Sequence, residues 1–595
     1  MRSELLQNQI QRTSVVIVGG GIAGLYCAWE LGQHGGFAVT LLETRDTFGG
    51  RIETGVLDGF VAEYGPMRFE PGIQKRFVSL CNLVGMLDEL ERFPEMTPEV
   101  VEWPKYRLEP DEDGLTTLGL LKKGVLGMFE EARAAVGATD TEAWLRALDE
   151  PALEELRRTA TLNGIELYRR GLWNALSEVL SHQAVMKIRD TGTFYHLIPD
   201  NPNAVEWGVF WLRLFKPEGR NLMTVRKSAG GVGEILNRLV HKIDAECQGR
   251  VSLQQRQEVV GVGHGREPTT VLLEVRDRPS NRRYRLEADH VILALPQRSL
   301  FRLSENFPDT VRADLGTVVG FPLLKAFLVT TKPWWPADQR EHPQRGAGAV
   351  PTRELHYDLD ESGKGIVMLY TDHPATEFWK YFVEDPEHHE RAEVYPHADG
   401  SENLALKRAL VRYLISQGQK ETAARQLMES AAPEEGISKL LAGTRRAEEA
   451  PATESVARDL VRLLSERPQL VEANPALGKL RDELDEITQF YDSVTAYAIR
   501  DWSREPFGAA AHAWRPRAKS WEVRANLKAF GLLGRENVQN LHICGEAYSD
   551  YQGYIEGSLR SAIDALDSLG VPTSLKADMD WHPPAIQQRQ SGMKT

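Results

Sequence analysis

The sequence predicts an α/β protein whose nucleotide-binding sheet is assembled from three distant stretches of chain. Three observations carry that expectation. Val15-Val16-Ile17-Val18 is a short β-branched run that ends at a glycine cluster, as a strand buried on both faces of a parallel sheet does. Asp289-His290-Val291-Ile292-Leu293-Ala294-Leu295, closed by Pro296, is a second such run. Asn540-Leu541-His542-Ile543-Cys544-Gly545 is a third, followed by a helical pattern over Ser558–Leu569. At 595 residues the chain exceeds what one core of roughly 250–300 residues supports.

The elements follow in order. After the first strand, Ile22–Leu31 has apolar residues at helical spacing, and Val39–Glu43 is a second strand; together they form a βαβ unit. Val259–Val262 and Thr270–Val275 read as hairpin strands ahead of the 289–295 run. Leu-, Ala-, Glu- and Arg-rich periodicity predicts helical insertions over 117–188 and 401–487, the second highly charged and broken at Ala431-Ala432-Pro433 and Glu449-Ala450-Pro451. The expected partition is a discontinuous nucleotide domain (1–70, 223–300 and 535–575) and a mixed-sheet substrate domain (71–116, 189–222 and 301–400 with 488–534). The two helical insertions and a polar tail over 576–595 complete it.

Composition narrows the function. The chain has 71 Lys and Arg against 85 Asp and Glu, a net charge of −14, which disfavours nucleic acid or an anionic membrane as the main partner. The four cysteines (Cys27, Cys81, Cys247, Cys544) are scattered without a CxxC, so neither a disulfide scaffold nor a thiolate metal site is expected. No run of about 20 apolar residues offers a membrane span, and Met1–Ser14 is polar, so the expectation is a cytoplasmic protein. A homodimer is the expected assembly.

The strongest chemical signal is Val18-Gly19-Gly20-Gly21-Ile22-Ala23-Gly24-Leu25, which places GxGxxG spacing at Gly19, Gly21 and Gly24 between a strand and a helix. One glycine makes the turn, one lets the backbone approach a pyrophosphate, and one allows close helix–strand packing. The helix start offers free N–H groups to phosphates. Glu43, 19 residues beyond Gly24 at the end of the second strand, suits a ribose hydroxyl. These features fit NAD or FAD equally.

The next stretch, Glu43-Thr44-Arg45-Asp46-Thr47-Phe48-Gly49-Gly50-Arg51, closely resembles the ExxxxxGGR extension of the flavin amine oxidase family. The resemblance continues through Ser228-Ala229-Gly230-Gly231-Val232-Gly233, Glu258-Val259-Val260 and the 288–296 strand. It ends in Gly545-Glu546-Ala547-Tyr548 with Gly553-Tyr554-Ile555-Glu556-Gly557-Ser558. It implies an amine oxidase fold and FAD as cofactor, with Arg45, Gly50 and Arg51 near the flavin and pyrophosphate and Val259 at the adenine. It also implies Glu546 at a ribityl hydroxyl, and the helix opening at Ile555 against the pyrimidine edge of the flavin. Alanines stand where the mitochondrial monoamine oxidases carry their flavin-linked cysteine, so the FAD is expected to be non-covalent.

Ala62-Glu63-Tyr64-Gly65-Pro66-Met67-Arg68-Phe69 resembles the Gly-x-Met-Arg segment of the L-amino acid oxidases and amino acid 2-monooxygenases of that family. The resemblance makes Arg68 the clamp for a substrate carboxylate, a role its planar fork suits; a structural ion pair with Glu63 or Glu70 is the alternative. Lys325, alone in the apolar run Phe321–Phe327, corresponds to the lysine that holds a water at flavin N5. Tyr554, and either His512 or Trp514 from Phe507–Trp514, are the expected aromatic walls. Trp207–Leu214 is a further aromatic-rich run, read as core or pocket lining. The implied reaction passes a hydride from the α carbon of an L-amino acid to the flavin. O2 then takes the electrons as H2O2, and the imino acid hydrolyses to a 2-oxo acid and ammonia. Oxidative decarboxylation to an amide, a dehydrogenase that avoids O2, and oxidation of an amine that is not an amino acid are the alternatives.

Overall fold

The computed structural model of the protein describes residues 12–94, 106–192, 201–216, 222–333, 344–347, 352–385, 389–396, 400–417, 454–579 and 581. Its central feature is a five-stranded parallel sheet ordered Leu541–Ile543, His290–Leu293, Thr13–Val18, Phe37–Leu42 and Val251–Gln254. Strand alternation explains why the first apolar run is continuous. Val15 and Ile17 face a helical layer containing Leu25, Leu31, Leu239 and Leu559, whereas Val16 and Val18 face Val271, Leu273 and Val275 on the opposite side. None of Val15–Val18 is more than 5% exposed.

The helical layer consists of Ile22–His34, Gly233–Glu246 and Ile555–Ser568. The first of these stops at Gly35, which takes a left-handed conformation. The opposite face is covered by an antiparallel meander of Gln257–His264, Val271–Asp277 and Arg282–Ala288. The edge strand Val251–Gln254 has no counterpart in the sequence reading. Its four residues are only half-buried or exposed, so they carry no apolar run.

In the other half the sheet is antiparallel throughout. There, a six-stranded sheet is ordered Gln344–Ala347, Glu354–Leu359, Gly365–Asp372, Leu323–Thr330, Val494–Asp501 and Glu393–Pro396. Leu323–Thr330 is buried along its whole length. Leu324, Ala326 and Leu328 pack on Leu406, Leu410 and Leu414 of the helix Leu404–Gln417. Phe327 and Val329 face the other way, against Leu57, Tyr64 and Met67. Period-two alternation therefore aims Lys325 toward the segment that joins this sheet to the parallel one.

Residues 117–191 form six helices, four of them capped by Thr116, Asp140, Asp149 and Ser181. They share a core with the helix Ala204–Phe215. In the charged insertion, Glu454–Glu466, Pro468–Ala473 and Pro475–Asp492 are helices. The breaks at 431–433 and 449–451 lie outside the described residues, as do residues 1–11 of the polar lead and most of the 576–595 tail. No helix among the described residues is long and apolar enough to cross a membrane.

Candidate active site

Two of the three motif glycines are required by the protein itself. A Cβ on Gly24 would lie 2.0 Å from the Gly19 carbonyl oxygen, and one on Gly19 (φ +107°) would lie 2.5 Å from that of Ala294. Gly21 differs: the nearest atom to its Cβ position is 3.9 Å away, and the residue opens onto a cavity of about 500 Å³. The room a side chain would fill is left for something that is not protein. Ile22 and Ala23, which open the first helix, line the same cavity, and Gly21 caps that helix without a side chain. The N-terminus of Ile555–Ser568, also without a side-chain cap, reaches the cavity at Tyr554 and Ile555. Two positive helix ends thus meet one elongated space.

Carboxylates and arginines brace its walls. Glu43 accepts from the backbone N–H of Gly20 (2.7 Å) and of Arg45 (2.8 Å). Burial pushes its carboxyl up, against the pull of Arg45. Arg45 donates to the carbonyls of Gly50 and Glu390, both at 2.9 Å. Glu546 joins four groups: the backbone N–H of His512 and of Gly553, His512 Nδ1, each at 2.8 Å, and Arg51 at 2.9 Å. Burial alone would raise its carboxyl, but Arg51 and His512 hold it at about 2. Gly50, Pro66, Val259, Gly545 and Gly553 also line this cavity. Gly24 lies behind it, and Met67 and Arg68 line the next one. The open backbone at Gly21 and Gly545, where no atom comes nearer than 3.7 Å to the Cβ position, together with the paired helix starts, fits an FAD pyrophosphate and its flanking groups.

A smaller cavity of about 90 Å³ adjoins the first, sharing Arg51, Pro66, Ala510, Gly553, Tyr554 and Ile555. Strand register builds one wall. Lys325 stands opposite Tyr370, and Tyr370 opposite Glu354, so three polar side chains from three strands form a row on one face. Lys325 and Tyr370 line the cavity. Lys325 Nζ donates to the carbonyls of Gly65 (2.5 Å) and Glu63 (2.8 Å) and lies 4.9 Å from the Tyr370 ring centre. Burial pushes its ammonium down to about 7, with the Glu63 carboxylate opposing and Arg68 adding to the fall. Trp502 lines the same space and donates Nε1 to the Tyr64 carbonyl at 2.8 Å. Tyr554 is stacked on Phe210 with ring centres 5.6 Å apart.

Arg68 lines the smaller cavity, and its ion pair among the described residues is with neither Glu63 nor Glu70. It is with Glu354: Nη1 donates to Oε1 at 2.5 Å and Nη2 to Oε2 at 3.4 Å. Sequence reading could not find Glu354, because it stands 286 residues away and its partner follows from register alone. The expected wall from His512 or Trp514 is corrected. Neither lines the cavity; on the strand Ala511–Trp514 they share the face turned toward Glu546 and Tyr548, while Ala511 is presented to the space. Trp514 is 1% exposed and donates Nε1 to the Ser549 carbonyl at 3.1 Å. The aromatic residues that line the chamber beside Tyr554 are Tyr64, Phe69, Phe77, Tyr370 and Trp502. The Trp207–Leu214 run is helical core, and its Phe210 stacks on Tyr554 at the site.

Backbone N–H groups from two helix starts, converging on one cavity that opens into a side-chain-lined chamber, define a protein of the dinucleotide-binding class. The kind follows from comparison with known proteins: the flavin containing amine oxidoreductases match residues 22–393, more than half of the chain, and the protein belongs to that family, with FAD as its cofactor. The L-amino-acid oxidase of Bungarus fasciatus is 24% identical over 404 residues, covering 63% of this chain and 70% of its own length. The tryptophan 2-monooxygenase of Pseudomonas savastanoi is 48% identical over 61 residues, covering 10% of this chain and 11% of its own. Among solved structures, wild-type putrescine oxidase bound to putrescine aligns with a TM-score of 0.54 at 15% identity, covering 94% of this chain and 99% of that one, a likeness of fold.

Proposed function

We propose that this flavin-dependent amine oxidoreductase is an L-amino acid oxidase: amino acid, O2 and water give the 2-oxo acid, ammonia and H2O2. The observation that carries the reading is the guanidinium of Arg68 in the wall of the small cavity that adjoins the cofactor site. A buried fork of N–H donors recognises a carboxylate bidentately, and in a site removed from water that contact is strong. FAD, when bound, supplies the two-electron redox chemistry and passes the electrons to O2.

The chain's own groups bind, orient and handle protons. Arg68 fixes the carboxylate end. Tyr370, Trp502 and Tyr554 confine the α carbon and the amine. Lys325, pushed down to about 7, exchanges a proton near neutrality at the chamber wall. Positioning accounts for most of the rate the protein contributes.

A peroxide-coupled screen of the twenty L-amino acids, with 2-oxo acid, amide and CO2 measured, tests the reaction. Amide and CO2 in place of the 2-oxo acid would assign the chain to oxidative decarboxylation. Arg68→Ala removes two charge-assisted hydrogen bonds, about 3 kcal/mol together, and should raise KM for the best amino acid about 100-fold. An unchanged KM would point to an amine without a carboxylate, the reading that the Arg68–Glu354 pair favours if it persists when substrate binds.

A further inference from the structure

Arg68 and Glu354 meet in the geometry an arriving α-carboxylate would use. Two guanidinium nitrogens face two carboxylate oxygens, at 2.5 and 3.4 Å. Both side chains are withdrawn from water, Arg68 to 10% and Glu354 to 4% exposure, so solvent screens the pair little and its net charge is zero. Glu354 is also held from behind, with His356 Nε2 2.8 Å from the same Oε1. Its place beside Tyr370 is fixed by strand pairing. A cavity meant only to attract a carboxylate has no need of a carboxylate already on its cation.

We infer that Glu354 is an internal competitor for the Arg68 fork, and that it determines how strongly the enzyme distinguishes an α-amino acid from the corresponding amine lacking the carboxylate. The inference rests on the reading of Arg68 as the carboxylate-binding group. A substrate carboxylate must displace Glu354 from the two nitrogens, and part of its binding energy is consumed in that exchange. His356 stays beside Glu354 as a hydrogen-bond partner, which makes the exchange feasible in a buried site. An amine without the carboxylate leaves the pair intact and bears no such cost. Glu354 is therefore a specificity-determining residue.

The test is steady-state kinetics of the holoenzyme on L-phenylalanine against 2-phenylethylamine and on L-leucine against 3-methylbutylamine. Glu354→Gln removes the competing charge and should raise the ratio of kcat/KM for the amino acid over its amine at least tenfold, chiefly by lowering the amino acid KM. Benzoate should raise the Tm of this variant at concentrations at least tenfold lower than those needed for the wild type. If Glu354 serves only to orient Arg68, the ratio falls or stands still and the inference is overturned. Should Glu354→Gln not fold, Glu354→Asp keeps the charge but retracts it by one methylene; a smaller rise supports the inference and no rise overturns it. Arg68→Ala separates the two levels. If it leaves the wild-type ratio unaltered, the carboxylate reading itself fails; if it collapses the ratio while neither Glu354 variant raises it, only the competition fails.

Discussion

The large cavity and the small one touch, yet they are built on different principles. The large one is made of main chain: glycines without side chains, two helix starts, and carboxylates tied to N–H groups within a few residues or across one sheet. The small one is made of side chains that four separate stretches deliver to one place: Arg68, Lys325, Tyr370 and Trp502. The first kind of site tolerates almost no added volume. The second tolerates volume but depends on charge.

The largest expected effect tests the first half of that contrast. Gly24→Ala sets a methyl group 2.0 Å from the Gly19 carbonyl oxygen, a contact no rotamer can relieve. Helix and strand must part, at about 3 kcal/mol or more. The purified variant should lose most of its bound flavin, read from its absorbance, and melt well below the wild type. Normal flavin content would mean that the turn is slack and the contrast mistaken.

Lys325→Met probes the second half. If Lys325 handles a proton at the chamber wall, kcat should fall by about 10²-fold, and an inflexion near pH 7 in the wild-type rate profile should vanish. The stability effect has a definite sign. The folded pKa of about 7 lies below the unfolded value near 10.4. Between the two, the unfolded chain binds the extra proton, so wild-type stability rises with pH relative to the variant. Melting both proteins from pH 6 to 10 should show the wild type gaining on Lys325→Met above pH 7; a constant gap would refute the shifted lysine.

The smallest effect concerns a residue outside both cavities. Trp514→Phe loses the bond to the Ser549 carbonyl and some buried volume, about 1–2 kcal/mol of stability. KM for the best substrate should stay within twofold. A KM change of tenfold would return Trp514 to the chamber wall.

The legibility of the two cavities differs for the same reason. The glycine turn and Glu43 could be read directly, because each is a local pattern whose geometry its own residues dictate, whereas the GGR extension and the start of the last helix were legible through the resemblance to the flavin amine oxidases. Glu354 and Tyr370 carried no such mark. A glutamate in Thr352-Arg353-Glu354-Leu355-His356 and a tyrosine in Val367-Met368-Leu369-Tyr370 acquire meaning only when register sets them beside Lys325. His512 and Trp514 show the converse, since an aromatic-rich segment says nothing about which face of its strand meets the site.

By itself, then, the sequence determined the buried parallel strands and the glycine turn, since hydrophobic period and glycine sterics act over a few residues, whereas Arg68 and Lys325 were singled out by the family resemblance. The tertiary structure alone decided what those two cations face. Pairing between strands hundreds of residues apart is set by the packing of whole sheets, and that pairing put a carboxylate on Arg68, carbonyl oxygens on Lys325, and alanine instead of tryptophan at the chamber wall.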